Sequence, residues 1–142
     1  MAEHSFQVTI STPDGVVYDQ LATMVVVTTA GGQMGVMANH VPVVAALGID
    51  LVTVKHSDTD AADDVIAVNG GFMEFHNNVA TIAADSAELA QNIDVNRAES
   101  AKERAEQMLN QSNASHNKSE LDRAEVHLKR AINRLKATNR PI

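Results

Sequence analysis

Glycine is distributed unevenly along the chain, and this distribution limits where tight turns can form. All seven glycines lie between Gly15 and Gly71. Glycine and proline punctuate turns, so the first part is expected to be rich in turns and the second to be continuous. Charge follows the same division: the first 88 residues carry a net charge near −10 and the rest near +3, giving −7 overall. The sequence therefore predicts two domains, residues 1–87 and 88–142.

The first part has the pattern of short β-strands. The segment Phe6–Ile10 alternates apolar with polar residues and is followed by the turn signal Pro13-Asp14-Gly15. Residues 72–75 and 79–83 flank His76-Asn77-Asn78, which predicts a hairpin. No segment between the strands is long enough for the helical crossovers of a parallel sheet. An antiparallel sandwich or flattened barrel is predicted.

The second part has the pattern of two amphipathic helices. Apolar residues recur at spacings of three and four, which places them on one face of each helix. The stripes are Ala98, Ala101, Ala105 and Met108 in the first helix, and Leu121, Ala124, Leu128, Ala131 and Leu135 in the second. Asp94 is predicted to cap the first helix, and Ser119 with Asp122 the second, across a connector at residues 112–118. Alanine stripes bury little area, so we expect a weakly held antiparallel hairpin.

Several classes of function are disfavoured by what the sequence lacks. It has no cysteine, no H-E-x-x-H pattern, and none of the usual phosphate-loop or nucleophile motifs. We therefore predict no catalytic residue, no metal site and no required cofactor. The net charge of −7 argues against nucleic acid as a partner. No apolar run approaches the ~18 residues of a membrane span, and the start of the chain has no signal-peptide pattern.

Two features leave alternatives open. The segment from Gly31 to Pro42 contains three glycines and His40. It is either a corner of the sandwich with His40 hydrogen-bonded locally, or a loop that binds a partner. Arginines recur at helical spacing, and guanidinium groups bind phosphate in bidentate geometry. They form either an anion site or a solvated face with ion pairs. The arginines concerned are Arg97, Arg104, Arg123, Arg130 and Arg134.

Four segments, in this order, carry a family resemblance over nearly the whole chain. They are Val8–Gly15, Gly32–Pro42, Gly70-Gly71-Phe72 through Glu88, and Ile93–Ala98. The chain resembles the epsilon subunits of F-type ATP synthases. The resemblance implies an α+β protein: an N-terminal antiparallel β-sandwich of about ten strands, followed by a C-terminal antiparallel two-helix hairpin.

The resemblance also implies a function and partners. A protein of this family would be a non-catalytic rotor subunit of the central stalk, peripheral to the cytoplasmic side of a bacterial cell membrane. Its sandwich would bind the gamma subunit and the ring of c subunits, here through Gln33, Met34, His40 and Pro42. Its helices would extend into the alpha/beta head and inhibit ATP hydrolysis.

A regulatory ATP site is implied as well. In some bacterial members the hairpin binds ATP through an I/L-D-x-x-R-A motif, which Ile93, Asp94, Arg97 and Ala98 match. Glu88 lies just before this motif. Arg104, Arg130 and Arg134 stand where further nucleotide contacts stand in the family. The arginines would contact phosphate, while Glu88, Asp94 and Ala98 would help to hold the base and the end of the hairpin.

The sequence departs from the family at the loop. Members commonly read L-P-G-H where this chain has Met37-Ala38-Asn39-His40, and an acidic residue commonly stands at the position of Gln33. Two alternative functions come from other classes. A stand-alone nucleotide-sensing module would bind ATP without a stable gamma complex. A small β-sandwich enzyme would hydrolyse substrate by itself, although no cluster of nucleophile, base and orienting residue is visible.

Overall fold

The computed structural model describes residues 4–56 and 62–139, and the chain divides into two compact units between Ala90 and Gln91. The polar loop between the two longest strands falls mostly outside these residues. The elements are β1 (Phe6–Thr12), β2 (Gly15–Ala22), β3 (Met24–Thr29), β4 (Gly32–Met37), β5 (Val43–Lys55), β6 (Asp64–His76), β7 (Val79–Ala84), β8 (Ala87–Leu89), a 3₁₀ turn (Ala90–Asn92), α1 (Val95–Ser115) and α2 (Lys118–Ala137). The first unit reaches beyond residue 87, where the sequence places the boundary, because β8 pairs with β6.

The first unit is the predicted β-sandwich, and with the two helices it confirms the α+β class. Its strands follow the order β2-β1-β7-β6-β5-β3-β4, with β8 beside β6. Every pair is antiparallel except β1 with β7, which is parallel. The described residues form eight strands rather than about ten. The count is lower because β5 and β6 each run unbroken for 13 residues, so that the strands predicted at 64–68 and 72–75 are one.

Gly70 and Gly71 mark the point where β6 changes its partner. Before these glycines, residues 66–68 pair with β8, and from Gly71 onward, residues 71–76 pair with β7. Both glycines have positive φ values, 86° and 135°. A Cβ atom at Gly71 would lie 2.1 Å from the carbonyl oxygen of Ala83. The exchange of partners therefore depends on a residue without a side chain.

The core of the sandwich follows the alternation seen in the sequence. Phe6, Val8 and Ile10 of β1 are all buried, which confirms the predicted inward face of that strand. The rings of Phe6 and Phe75 pack edge to face with centroids 5.5 Å apart. The predicted hairpin is also present. Its turn is Asn77-Asn78, with φ values of 50° and 58°, and a positive φ at both positions is typical of a type I′ hairpin turn.

The second unit is a helical hairpin whose first cap was predicted correctly and whose second was not. The backbone N–H of Arg97 donates to Oδ1 of Asp94 at 3.1 Å. The second cap is Asn117, whose Oδ1 accepts from the N–H of Glu120 at 3.3 Å. The predictions of a Ser119 cap and of a connector at 112–118 are wrong. His116 adopts a left-handed conformation, so two residues suffice to turn the chain.

The two helices of this hairpin contact each other, and alanines of both predicted stripes are buried: Ala98, Ala105, Ala124 and Ala131. Met108, at the end of the first stripe, is instead 37% exposed. Small side chains let two helices approach closely, but they leave unfilled space where the facing side chains are also small. Neither of the described helices is long and apolar enough to cross a membrane.

Candidate functional site: an arginine-lined pocket in the helical hairpin

A pocket of about 340 Å³ lies between the two helices. Its lining residues are Ala101, Arg104, Ala105 and Met108 from α1, and His127, Arg130 and Arg134 from α2. Positions three and four apart share one face of a helix, which explains why these residues line the same space. The methyl-sized side chains of Ala101 and Ala105 leave that space open.

The pocket has the chemistry of an anion site. Among its lining residues are three guanidinium groups and one imidazole, and no carboxylate. Arg104 and Arg130 form no ion pair within the part of the chain that the structure describes. The Nε atom of Arg130 is buried and has no hydrogen-bond partner among the described residues. A buried donor of this kind is costly unless a ligand or solvent satisfies it, and phosphate oxygens are matched acceptors.

The structure brings together only some of the residues for which the sequence predicts ATP contacts. Arg104, Arg130 and Arg134 line the pocket. Ile93 and Ala98 are buried, and Asp94 and Arg97 are exposed at the start of α1, but none of these four lines the pocket. Glu88 belongs to β8, in the first unit. The binding roles of all eight residues stay predictions.

Sequence reasoning missed His127, Ala101, Ala105 and Met108 as residues of this pocket. His127 stands three residues before Arg130, so helical spacing alone would have placed it beside that arginine. The alanines and the methionine were interpreted as helix-packing residues. Their contribution to the pocket depends on which faces of the two helices meet, and spacing within one helix does not determine that.

Asp94 acts as a helix cap in the structure, which leads to a prediction. We expect Asp94→Ala to lower the free energy of unfolding of the helical unit by about 1 kcal/mol, because the N–H of Arg97 loses its acceptor. Asp94→Asn is the matched control, since an asparagine oxygen caps equally well. Urea unfolding followed by the helical circular dichroism signal measures both. Equal stability of Asp94→Ala and the wild type would contradict the capping role.

The predicted partner-contact residues lie on and after β4. Gln33 and Pro42 are exposed, whereas Met34 is partly buried and packs against the sandwich core. Nδ1–H of His40 donates to the carbonyl oxygen of Val41 at 2.6 Å, and its ring lies 5.8 Å from that of Phe75. The local hydrogen bond proposed for His40 is confirmed. Contact of these four residues with a partner stays a prediction.

Asn39 adopts the backbone conformation that the glycine common at this position of the loop would allow. It has a φ of 65°, a left-handed conformation that asparagine tolerates better than most residues. Its N–H donates to Oδ1 of Asn78 at 2.7 Å, and Nδ2 of Asn78 donates back to Oδ1 of Asn39 at 3.1 Å. This reciprocal pair fastens the loop to the turn between β6 and β7.

A second polar cluster lies in the sandwich. The hydroxyl of Tyr18 donates to Oδ2 of Asp64 at 2.6 Å, and Nε2 of His56 donates to the same oxygen at 2.8 Å. Burial, the hydrogen bond and the negative charge of Asp64 all raise the pKa of Tyr18 above its ordinary value. The cluster joins β2 to the start of β6 and to His56, the residue that follows β5. No group of three or more potential metal ligands occurs in the described ranges.

Two family models match the chain, and together they cover both structural units. The first, described as "ATP synthase, Delta/Epsilon chain, beta-sandwich domain", matches residues 5–90. The second, described as "ATP synthase, Delta/Epsilon chain, long alpha-helix domain", matches residues 91–139. The boundary between the two matches coincides with the boundary between the two units.

Curated relatives and solved structures agree with these matches. The ATP synthase epsilon chain of Pediococcus pentosaceus is 57% identical over 95% of this chain and 96% of its own length. That of Levilactobacillus brevis is 52% identical over 90% of both chains. Among solved structures, a chain of the Euglena gracilis mitochondrial ATP synthase (OSCP/F1/c-ring) has a TM-score of 0.74 at 22% identity, covering 93% of this chain and 79% of that one. A chain of the Tetrahymena thermophila ATP synthase (central stalk/c-ring) has a TM-score of 0.50 at 13% identity, with coverages of 61% and 67%. At such identities the structural likeness shows the fold alone.

Proposed function

The chain belongs to the delta/epsilon family of ATP synthase subunits, and from this premise we propose that it is a rotor subunit of the central stalk. In this role it couples the F1 head to the ring of c subunits and performs no catalysis itself. The names of the similar structures support this, because those chains belong to assemblies described as F1/c-ring and central stalk/c-ring. The complex would lie at the cytoplasmic side of a bacterial membrane.

The proposal assigns different partners to the two units. The sandwich binds the gamma subunit and the c ring, with Gln33, Met34, His40 and Pro42 at the contact. The helices reach the alpha/beta head when they extend, and in that state they inhibit ATP hydrolysis. The second unit carries ten of the chain's eleven lysines and arginines, so an acidic surface of the head would attract it, and salt would weaken the attraction.

The arginine-lined pocket is the observation that carries the regulatory part of this proposal. It exists only while α1 and α2 are packed together, because its lining comes from both helices. A nucleotide that binds there stabilises the compact hairpin and not the extended form. At ten times its dissociation constant such a ligand adds about 1.4 kcal/mol, which shifts the equilibrium about tenfold. High ATP would therefore keep the hairpin compact and permit hydrolysis.

A reconstitution assay tests the whole proposal. An α3β3γ core without epsilon receives either the full chain or a matched chain that ends at Ala90, the last residue of the first unit. We expect both to bind the core, because the sandwich makes that contact. Only the full chain should inhibit ATP hydrolysis, at low ATP, and high ATP should relieve the inhibition several-fold.

Each other outcome contradicts a distinct part. Binding of both chains without inhibition would contradict the regulatory role and leave the stalk role intact. Inhibition that high ATP does not relieve would contradict the ATP-sensing role alone. ATP binding by a chain that does not bind the core would instead favour the stand-alone nucleotide-sensing module. Circular dichroism checks that the shortened chain is folded.

A further inference from the structure

We infer that His127 makes anion binding in the hairpin pocket dependent on pH, so that polyphosphate binds more tightly as the pH falls. His127 lines the pocket together with all three arginines. Histidine is the side chain whose charge ordinarily changes near neutral pH, whereas arginine stays charged throughout. The inference rests on the proposed nucleotide site in one respect, because both proposals place the bound anion in the same pocket.

The groups that face His127 set the direction of this effect. From α1, Arg104 lines the same pocket, and from α2, Arg130 and Arg134 do so. A bound polyphosphate would bring several negative charges into this pocket, and a nearby negative charge favours the charged form of an imidazole. Protonation of His127 is thus favoured in the complex relative to the empty pocket.

No carboxylate side chain lines the pocket, so the positive charges of its arginines are not neutralised from within it. Glu103 and Glu106 stand one residue before and two residues after Arg104, but neither lines the pocket, and Glu106 pairs with Lys102 at 3.7 Å. On α2, Asp122 and Glu125 are exposed and likewise absent from the lining. Arg123, one turn before His127, adds a further positive charge to that helix.

Thermodynamic linkage then determines how affinity varies with pH. Because the complex binds more protons than the free protein, lowering the pH through the titration of His127 tightens binding. A single group contributes at most about tenfold in affinity for each pH unit. The hairpin would in this way respond to proton concentration as well as to the anion, with lower pH favouring its compact form.

Calorimetric titration of the full chain at fixed ionic strength, from pH 5.5 to pH 8, tests the inference with two probes, ATP and inorganic tripolyphosphate. The terminal phosphate of ATP itself gains a proton near pH 6, which weakens its charge. The measured quantity is therefore the affinity of the wild type divided by that of His127→Gln at the same pH, since this ratio cancels the titration of the probe. The ratio should be near one at pH 8 and reach about tenfold at pH 5.5.

Two further variants complete the design. His127→Lys carries a permanent charge, so it should bind more tightly than the wild type at pH 8 and lose most of the pH dependence relative to His127→Gln. His76→Gln is the matched control, because His76 is exposed on β6 in the other unit. Its affinity should equal that of the wild type at every pH.

The two proposals fail in distinguishable ways. A wild-type to His127→Gln ratio that stays constant across pH would overturn the role of His127 while leaving nucleotide binding intact. A pH-dependent ratio for tripolyphosphate, with no binding of ATP, would support the role of His127 and contradict ATP sensing. Binding of neither probe at any pH would overturn both.

Discussion

Gly71→Ala is expected to abolish stable folding of the β-sandwich. The added Cβ would lie 2.1 Å from the carbonyl oxygen of Ala83 and 2.8 Å from Cα of Ala84, and both are backbone atoms of the paired strand β7. The backbone at Gly71 also has a φ of 135°, which side-chain-bearing residues rarely adopt. Either the pairing of β6 with β7 opens or both strands shift, so the loss should be about 4 kcal/mol or more.

Two other glycines separate the clash from the backbone effect. Gly15 has a φ of 129° but open space around its Cβ position, so Gly15→Ala should cost only about 1–2 kcal/mol of strain. Gly48 has neither a positive φ nor a nearby atom, so Gly48→Ala should change stability by less than about 0.5 kcal/mol. Urea unfolding, followed in the far ultraviolet, compares all three. A Gly71→Ala protein as stable as Gly15→Ala would refute the steric account.

Arg130→Ala is expected to weaken ATP binding by about 30- to 150-fold. Charge-assisted hydrogen bonds to phosphate contribute about 2–3 kcal/mol, and Arg130 is the arginine whose buried Nε lacks a partner among the described residues. Its loss removes both a donor and a charge from the pocket. Calorimetric titration of the full chain with ATP measures the change, and far-ultraviolet circular dichroism verifies the helix content.

Arg123→Ala is the matched control for this experiment. Arg123 stands two turns before Arg130 on the same helix, is exposed, and does not line the pocket. Its replacement changes the net charge by the same amount, so a general electrostatic effect would weaken ATP binding equally in both variants. Equal losses would therefore contradict a specific site, and so would an Arg130→Ala variant that binds like the wild type. We expect Arg123→Ala to lose less than about threefold through long-range charge alone.

These experiments test the two units separately. Gly71 acts in the sandwich, where the pairing of β6 with two successive partners organises the fold. Arg130 acts in the hairpin, where the packing of two helices creates the pocket. If only the packed hairpin can bind ATP, then ATP favours the packed form. The equilibrium between the packed and the extended hairpin then responds to ATP concentration.

Features that depend on neighbours in the chain were predictable from the sequence. The alternation of β1, the turn at Asn77-Asn78, the Asp94 cap and the alanine stripes were all inferred from spacing and are present. Each is decided within a few residues, by side-chain periodicity or by the conformation that one residue prefers. The cap at Asn117 was missed because an equally plausible capping pattern begins two residues later, at Ser119.

The candidate site could be predicted only in part from residue spacing along the chain. Spacing along α2 alone places His127, Arg130 and Arg134 on one face of that helix, and spacing along α1 does the same for Arg104 and Met108. That these two faces meet depends on the register of the hairpin, which a two-residue turn sets. The division into a turn-rich, acidic part and a continuous, basic part was thus determined by the sequence alone. The partner exchange at Gly71 and the assembly of the arginine-lined pocket follow instead from packing between elements, because the first depends on steric fit between paired strands and the second on the register of the two helices.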